Sequence, residues 1–137
     1  MNNNQLTISI KSFSYKKGIP EDKSGNGGGF VFDCRGIYNP GRIDKYKTQS
    51  GIDPEVQEFL RKETEMNSFL AYIFKVIDIT LENYLDRGFE HLQINYGCTG
   101  GQHRSVFATE KTSEYIAQNY PNVIIEKEHC NKENWIK

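Results

Sequence analysis

A chain of 137 residues with 17 basic and 18 acidic side chains has a formal net charge of −1, and its 36% hydrophobic content suits one domain. This composition excludes a disordered polyelectrolyte and gives no global pull toward nucleic acid or membrane surfaces. Three cysteines (Cys34, Cys98 and Cys130) with no C-x-x-C pair set aside a disulfide scaffold and a zinc ribbon, and no apolar run reaches the ~20 residues of a membrane span. Met1–Gln5 has neither the basic start nor the apolar stretch of a signal peptide, so a cytoplasmic location is expected, with no cofactor and no metal.

Charge is unevenly spread. Residues 1–52 carry eight Lys/Arg and four Asp/Glu, whereas residues 53–90 carry four and nine. A solvated surface is the plainer reading of this asymmetry.

Leu6 to Phe13 alternates strictly and predicts a half-buried strand with Leu6, Ile8, Ile10 and Ser12 on one face. The polar segment Ser24–Gly29 has nothing to bury and reads as a mobile loop. Phe30-Val31-Phe32-Asp33-Cys34 is nearly continuous in apolar character, as for a central strand covered on both faces. A turn follows at Tyr38-Asn39-Pro40-Gly41. Asp53, Pro54 and Glu55 then make a helix start. A longer helical stripe runs through Met66, Phe69, Leu70, Ile73, Phe74, Ile77, Leu81, Tyr84 and Leu85, with Gly88 as its stop and Phe89 folded back onto the last turn. Leu92, Ile94 and Tyr96 alternate into a glycine loop. Ser105 to about Asn119 suits a helix that buries Ala108, Thr112, Tyr115 and Ile116. Val123–Ile125 is a last short strand, and Trp135 is expected to pack back. The expected fold is α/β: a single three-layer-type domain over residues 1–137 with a mixed, largely parallel sheet, residues 1–4 and 132–137 being flexible ends.

The chemistry concentrates in Gly97-Cys98-Thr99-Gly100-Gly101-Gln102-His103-Arg104-Ser105, between a predicted strand and a predicted helix. Such a loop gathers unpaired backbone N–H groups and the positive end of a helix dipole, which favours an anion. Glycines allow close approach, Arg104 can hold two phosphate oxygens, and Thr99 and Ser105 offer hydroxyls. The candidate ligand-binding residues are therefore Cys98, Thr99, Gly100, Gly101, Gln102, His103, Arg104 and Ser105, with Arg104 assigned to the site and not to the core. Cys98 to Ser105 also has the cysteine, five residues, arginine, serine spacing of a cysteine phosphatase loop. That alternative needs a separate aspartate as general acid, for which Asp33 and Asp44 are candidates. His91 and His129 read as surface or packing residues, and Cys34 as core.

The same segment resembles the signature of the C-terminal domain of the RapZ/YvcJ family, bacterial RNase adapter proteins. Supporting matches occur in family order at Phe13–Pro20, Phe30–Arg35, Asn39-Pro40 and Ser50–Asp53, and the resemblance covers roughly residues 11–129. It implies a fold similar to a phosphofructokinase subdomain and a pocket for a phosphorylated amino sugar, glucosamine 6-phosphate. It also implies small-RNA binding and a part in oligomerisation. Carried over by position, Cys98, Thr99, Gly100, Gly101, His103 and Arg104 form the phosphate loop, with Asp33, Arg35 and Asn39 on a facing loop.

Three departures accompany the resemblance. The nucleotide-binding domain that usually precedes this one, with its G-x-x-x-x-G-K-[ST] loop, is not in this sequence, so nucleotide hydrolysis is not expected. Gly41 stands after Asn39-Pro40 where a family member has His. The tail from Glu126 is not basic, which weakens the expectation of RNA binding. The expected function is a sensing or adaptor module for a phosphorylated small molecule, an amino sugar or a nucleotide. The cysteine phosphatase and the RNA-binding regulator stay open, as does a homo-oligomer or a separate protein partner.

Overall fold

The alternation that begins at Leu6 becomes β1 (Thr7–Ser14), the first strand of a computed structural model that describes residues 5–137. The flexible end expected at residues 1–4 lies outside the described residues. β2 (Gly29–Asp33), β3 (His91–Cys98) and β4 (Ile124–His129) complete a sheet of order β2-β3-β1-β4, in which every pairing is parallel. The α/β class is as expected, and the sheet is parallel throughout rather than mixed. Helices α1 (Pro54–Glu63), α2 (Met66–Arg87) and α3 (Arg104–Asn119) fill the β2–β3 and β3–β4 connections.

Sheet order decides where the helices lie. The steps β2→β3 and β3→β4 cross the sheet in one direction, whereas β1→β2 steps back in the other. Right-handed crossovers then place α1, α2 and α3 on one face and the β1–β2 connection on the opposite face. The packing agrees. Leu6, Ile8, Ile10, Leu92, Ile94 and Tyr96 share one buried cluster with Val56, Leu60, Leu70, Ile73, Ile77, Phe107 and Ile116 from the helices. On the other face Ser9, Lys11 and Gln93 meet Asp22, Lys23 and Ser24 of the β1–β2 connection across a polar cavity. The layer on that side is a loop.

Two strand assignments exchange roles relative to the sequence reading. β1, expected to be half-buried, lies between β3 and β4 and buries Ser9, Ser12, Phe13 and Ser14 together with its aliphatic residues. β2, expected to be central, is an edge strand with Val31 42% exposed. A short apolar run is compatible with either position: Phe30 and Phe32 need only one covered face, and they lean on the helical cluster.

The helices follow their signals more closely. Pro54 opens α1, and Gly88 ends α2 at φ 71°, its N–H directed at the Leu85 and Tyr84 carbonyls. Phe89 N–H donates to the Tyr84 carbonyl and its ring meets Tyr84 edge-on at 4.6 Å. Leu85, expected in the buried stripe, is 42% exposed, because at about 3.6 residues per turn the stripe has rotated past it. In α3, Ala108, Thr112 and Ile116 are buried and Tyr115 packs partly. Tyr115 and Tyr120 both donate to the Asp78 carboxylate, at 2.6 and 2.7 Å, tying α3 to α2.

Gly51 seats α3 at its first turn. Its N–H donates to the Gln102 carbonyl at 2.9 Å. A Cβ at Gly51 would overlap the His103 carbonyl and the Phe107 amide, both backbone and unable to yield. Gly51→Ala should therefore cost about 1–3 kcal/mol of stability, the usual range for overpacking. Chemical denaturation checks this: an unchanged midpoint would show that the segment before α1 can move away from α3.

Candidate anion site at the strand–helix junction

β1 and β3 are neighbours whose following segments leave toward opposite faces of the sheet. Where connections diverge in this way, a crevice opens beyond the carboxyl ends of the strands. Ser14 and Cys98, paired in register, stand at that point, and the loop Thr99–His103 runs from β3 into α3.

Local geometry suits an anion. His103 occupies the N-cap of α3, makes no side-chain capping bond, and is followed by no acidic residue in the first turn. The amides of the first turn have no intrahelical acceptor, and the helix dipole adds partial positive charge. Gly101 sits at φ 66°, and a Cβ there would press on the Ser14 amide at 2.9 Å, so glycine is required for conformation and for approach.

A cavity of about 420 Å³ lies beside this loop, bounded by Cys98, Thr99, Gly100, Gln102, His103 and Arg104. Asn39 and Gly41 face them, and Lys16, Lys47 and Ile136 complete the wall. The carboxamide oxygen of Asn39 accepts from the Gly41 N–H at 2.9 Å, fixing the turn after β2. Gly41 lies against the His103 ring, since a Cβ there would be 3.3 Å from Cε1.

Side chains predicted for the site divide into those that face the cavity and those that hold its walls. Arg104 is 4% exposed. Its Nη1 donates to the carbonyls of Arg35 at 3.0 Å and Ile37 at 2.8 Å, while Nη2 makes a long 3.5 Å contact with Thr99 Oγ1. Its Nε–H is buried with no partner among the described residues. Arg104 therefore does two things at once: it borders the cavity, and it is a buried bridge to the segment after β2, which the sequence reading did not expect. Gln102 spends its amide on the carbonyls of Lys47, Gln49 and Ile136. His103 Nε2–H donates to the Tyr46 carbonyl at 2.8 Å, which fixes the tautomer, and burial holds the imidazole below its ordinary pKa.

Ser105 is fully buried, meets the Cys98 thiol at 3.1 Å and is not among the residues that bound the cavity. Asp33 pairs in register with Gly97, so its side chain leaves the sheet on the face opposite Cys98. It binds Arg35, whose hydrogen bonds hold the carboxyl below its usual range and whose guanidinium stacks on Tyr15 at 3.8 Å. Of the three facing-loop candidates only Asn39 reaches the cavity. Asp44 is ion-paired with Lys47 at 2.9 Å, and no aspartate lines the cavity among the described residues.

Lys16, Lys47 and Ile136 were not singled out for this site from sequence. Lys16 lies two residues past the end of β1, where a diverging connection would have drawn attention once the sheet order was known. Ile136 belongs to a tail expected to be flexible. Residues 132–137 instead dock, with Trp135 Nε1–H on the Gly101 carbonyl at 2.8 Å and Ile136 N–H on Gln102 Oε1 at 2.9 Å. The reason is local: Gln102 and Gly101 present backbone-like partners that the tail can satisfy.

Two stability outcomes follow. Arg104→Ala removes the donor for two carbonyls of the turn after β2 and should lower unfolding free energy by about 3 kcal/mol, with Arg104→Lys intermediate. Urea denaturation reads it, and a wild-type midpoint would refute the bridge. Because burial depresses the His103 pKa, the unfolded state takes up its proton first. Stability is then complete above about pH 6.5 and declines as pH falls below it. His103→Gln, which keeps a donor for Tyr46, should show a shallower decline from pH 7 to 5, and an identical pH profile would remove His103 from this role.

Comparisons with known proteins converge on one family, the RapZ C-terminal domain, which matches residues 6–131. A protein of Endomicrobium trichonymphae named nucleotide-binding protein is 39% identical over 111 residues, 81% of this chain and 37% of the relative. One of Fusobacterium nucleatum with the same kind of name is 34% identical over 134 residues, 95% of this chain and 44% of the relative. Another, from Listeria welshimeri, is 39% identical over 119 residues, 87% of this chain and 39% of the relative. The chain thus spans less than half the length of these curated relatives.

Proposed function

This chain belongs to the RapZ C-terminal domain family, and from that membership and the chemistry of the crevice we propose that it binds a phosphorylated small molecule and acts as a sensing or adaptor module. The observation that carries the reading is the first turn of α3. It has no capping side chain and no acidic residue, and it borders a cavity where the Arg104 Nε–H is buried without a partner. A phosphoryl oxygen at that turn would be met by the first-turn amides, with the Arg104 guanidinium charge close by. Lys16 and Lys47 on the cavity wall add positive charge for a dianion.

A sugar phosphate suits the wall better than a nucleotide. Among the described residues the cavity is lined by no Phe, Tyr or Trp on which a base could stack. The relatives' printed names say nucleotide-binding, and those proteins are more than twice as long as the stretch this chain matches. The phosphorylated amino sugar implied by the family is therefore the first ligand to try, with mononucleotides second. Binding rather than turnover is supported by the Cys98 thiol, which is 2% exposed, and by a cavity lining without Asp or Glu among the described residues. A cysteine nucleophile would need an open thiolate and a nearby acid.

Calorimetry with glucosamine 6-phosphate, glucosamine and mononucleotides tests the reading. The phosphosugar should bind, the unphosphorylated sugar should not, and Lys16→Ala should weaken binding about three- to tenfold. Cys98→Ser should bind as wild type, and the wild type should leave aryl phosphates intact. Hydrolysis that disappears in Cys98→Ser would replace the sensor with a phosphatase.

A further inference from the structure

The end of the chain forms a strap whose polar contacts converge on the anion loop. Asn131 Oδ1 accepts from the Ser14 N–H at 2.7 Å, and the Ser14 hydroxyl donates to the Thr99 carbonyl at 2.6 Å. Trp135 donates its indole N–H to the Gly101 carbonyl at 2.8 Å. Ile136 and Gln102 pair in both directions, Ile136 N–H to Oε1 at 2.9 Å and Nε2–H to the Ile136 carbonyl at 3.1 Å. Behind the indole, 5.7 Å away, stands the His129 ring, itself held by Ser12 and Glu110 at 2.7 Å each.

Peptide planarity turns these contacts into orientation. In a trans peptide the carbonyl of one residue and the N–H of the next point in opposite directions. Fixing the Thr99 carbonyl on Ser14 therefore fixes the direction of the Gly100 N–H. Fixing the Gly101 carbonyl on Trp135 likewise fixes the Gln102 N–H. Gly100 and Gln102 are both residues of the cavity wall, and two of the loop residues between β3 and α3 are glycines with no side chain to hold them. The loop lacks the means to set its own peptide planes: the strap sets that of Gly101 directly through Trp135, and it reaches that of Thr99 through Ser14.

We propose that the strap Asn131–Ile136 is a positioning element of the anion site, and that its docking and the occupancy of the site are thermodynamically linked. The first half stands on geometry alone; the second rests on the anion-binding reading given above. Linkage is reciprocal: whatever the docked strap adds to anion affinity, the bound anion adds to strap docking.

The 137-residue chain carries its own reporter, because Trp135 is its only tryptophan. Trp135→Phe keeps an aromatic ring and removes the N–H. Without any ligand, amide hydrogen exchange at residues 99–102 should be at least several-fold faster in Trp135→Phe than in wild type, with exchange in β1 and β3 unchanged. Equal exchange in the loop overturns the positioning role whether or not any anion binds. Titration of wild type with inorganic phosphate should shift Trp135 emission, and calorimetry should give weaker phosphate binding to Trp135→Phe at unchanged global stability. Equal phosphate affinity in the two proteins, or binding with no change in emission, overturns the linkage. If phosphate fails to bind the wild type, the anion-binding reading and the linkage fall together, and the exchange measurement still decides the positioning role.

Discussion

A guanidinium removed from water beneath the first turn of α3 organises this end of the molecule. A buried guanidinium must be solvated by the protein, and the carbonyls of Arg35 and Ile37 do that for Arg104. Those two contacts bind the segment after β2 to the start of α3, across neighbouring strands. The turn carrying Asn39 and Gly41 is thereby brought to the crevice. Arg104 also borders the cavity, which is why deleting it would confound folding with recognition. Substitutions at exposed Lys16 separate the two.

Around that bridge the loop is held from several directions by groups imitating a peptide. The Gln102 amide serves three carbonyls and one N–H, as a short length of strand would. His103 reaches the Tyr46 carbonyl, and Gly51 lies close enough to donate to Gln102. Such support is what a binding loop needs when its own glycines confer freedom. Preorganisation reduces the entropy that a ligand would otherwise have to overcome.

Features set by neighbours in sequence were legible without the structure: the helix start at Asp53-Pro54, the glycine stop at Gly88 and the strand–loop–helix segment from Leu92 onward. Features set by partners far along the chain were not. Whether Phe30–Asp33 is central or peripheral depends on which strand it joins, and its composition fits both. Asp33 was a site candidate by its place in the family resemblance and, by residue type, as a general acid, yet its register with Gly97 sends its side chain to the face of the sheet opposite Cys98. The bridging role of Arg104 could not be read from the sequence, because its acceptors are the backbone carbonyls of Arg35 and Ile37 and a carbonyl leaves no mark in a sequence.

The position of β1 has a consequence for how the molecule can be made. This strand precedes the other three along the chain, yet its two neighbours are β3 and β4, with Thr7 beside His91 on one side and Ile124 on the other. During translation Leu6, Ile8 and Ile10 emerge from the ribosome long before anything exists to cover them. Closing contacts across so long a stretch costs chain entropy that is recovered only when the last strand arrives. β2, α1 and α2 can gather in the meantime, but the sheet has no centre until the C-terminal third is present. Folding of this domain is thus committed only once β4 is available, and the nascent β1 segment is the part that would look to a chaperone for cover.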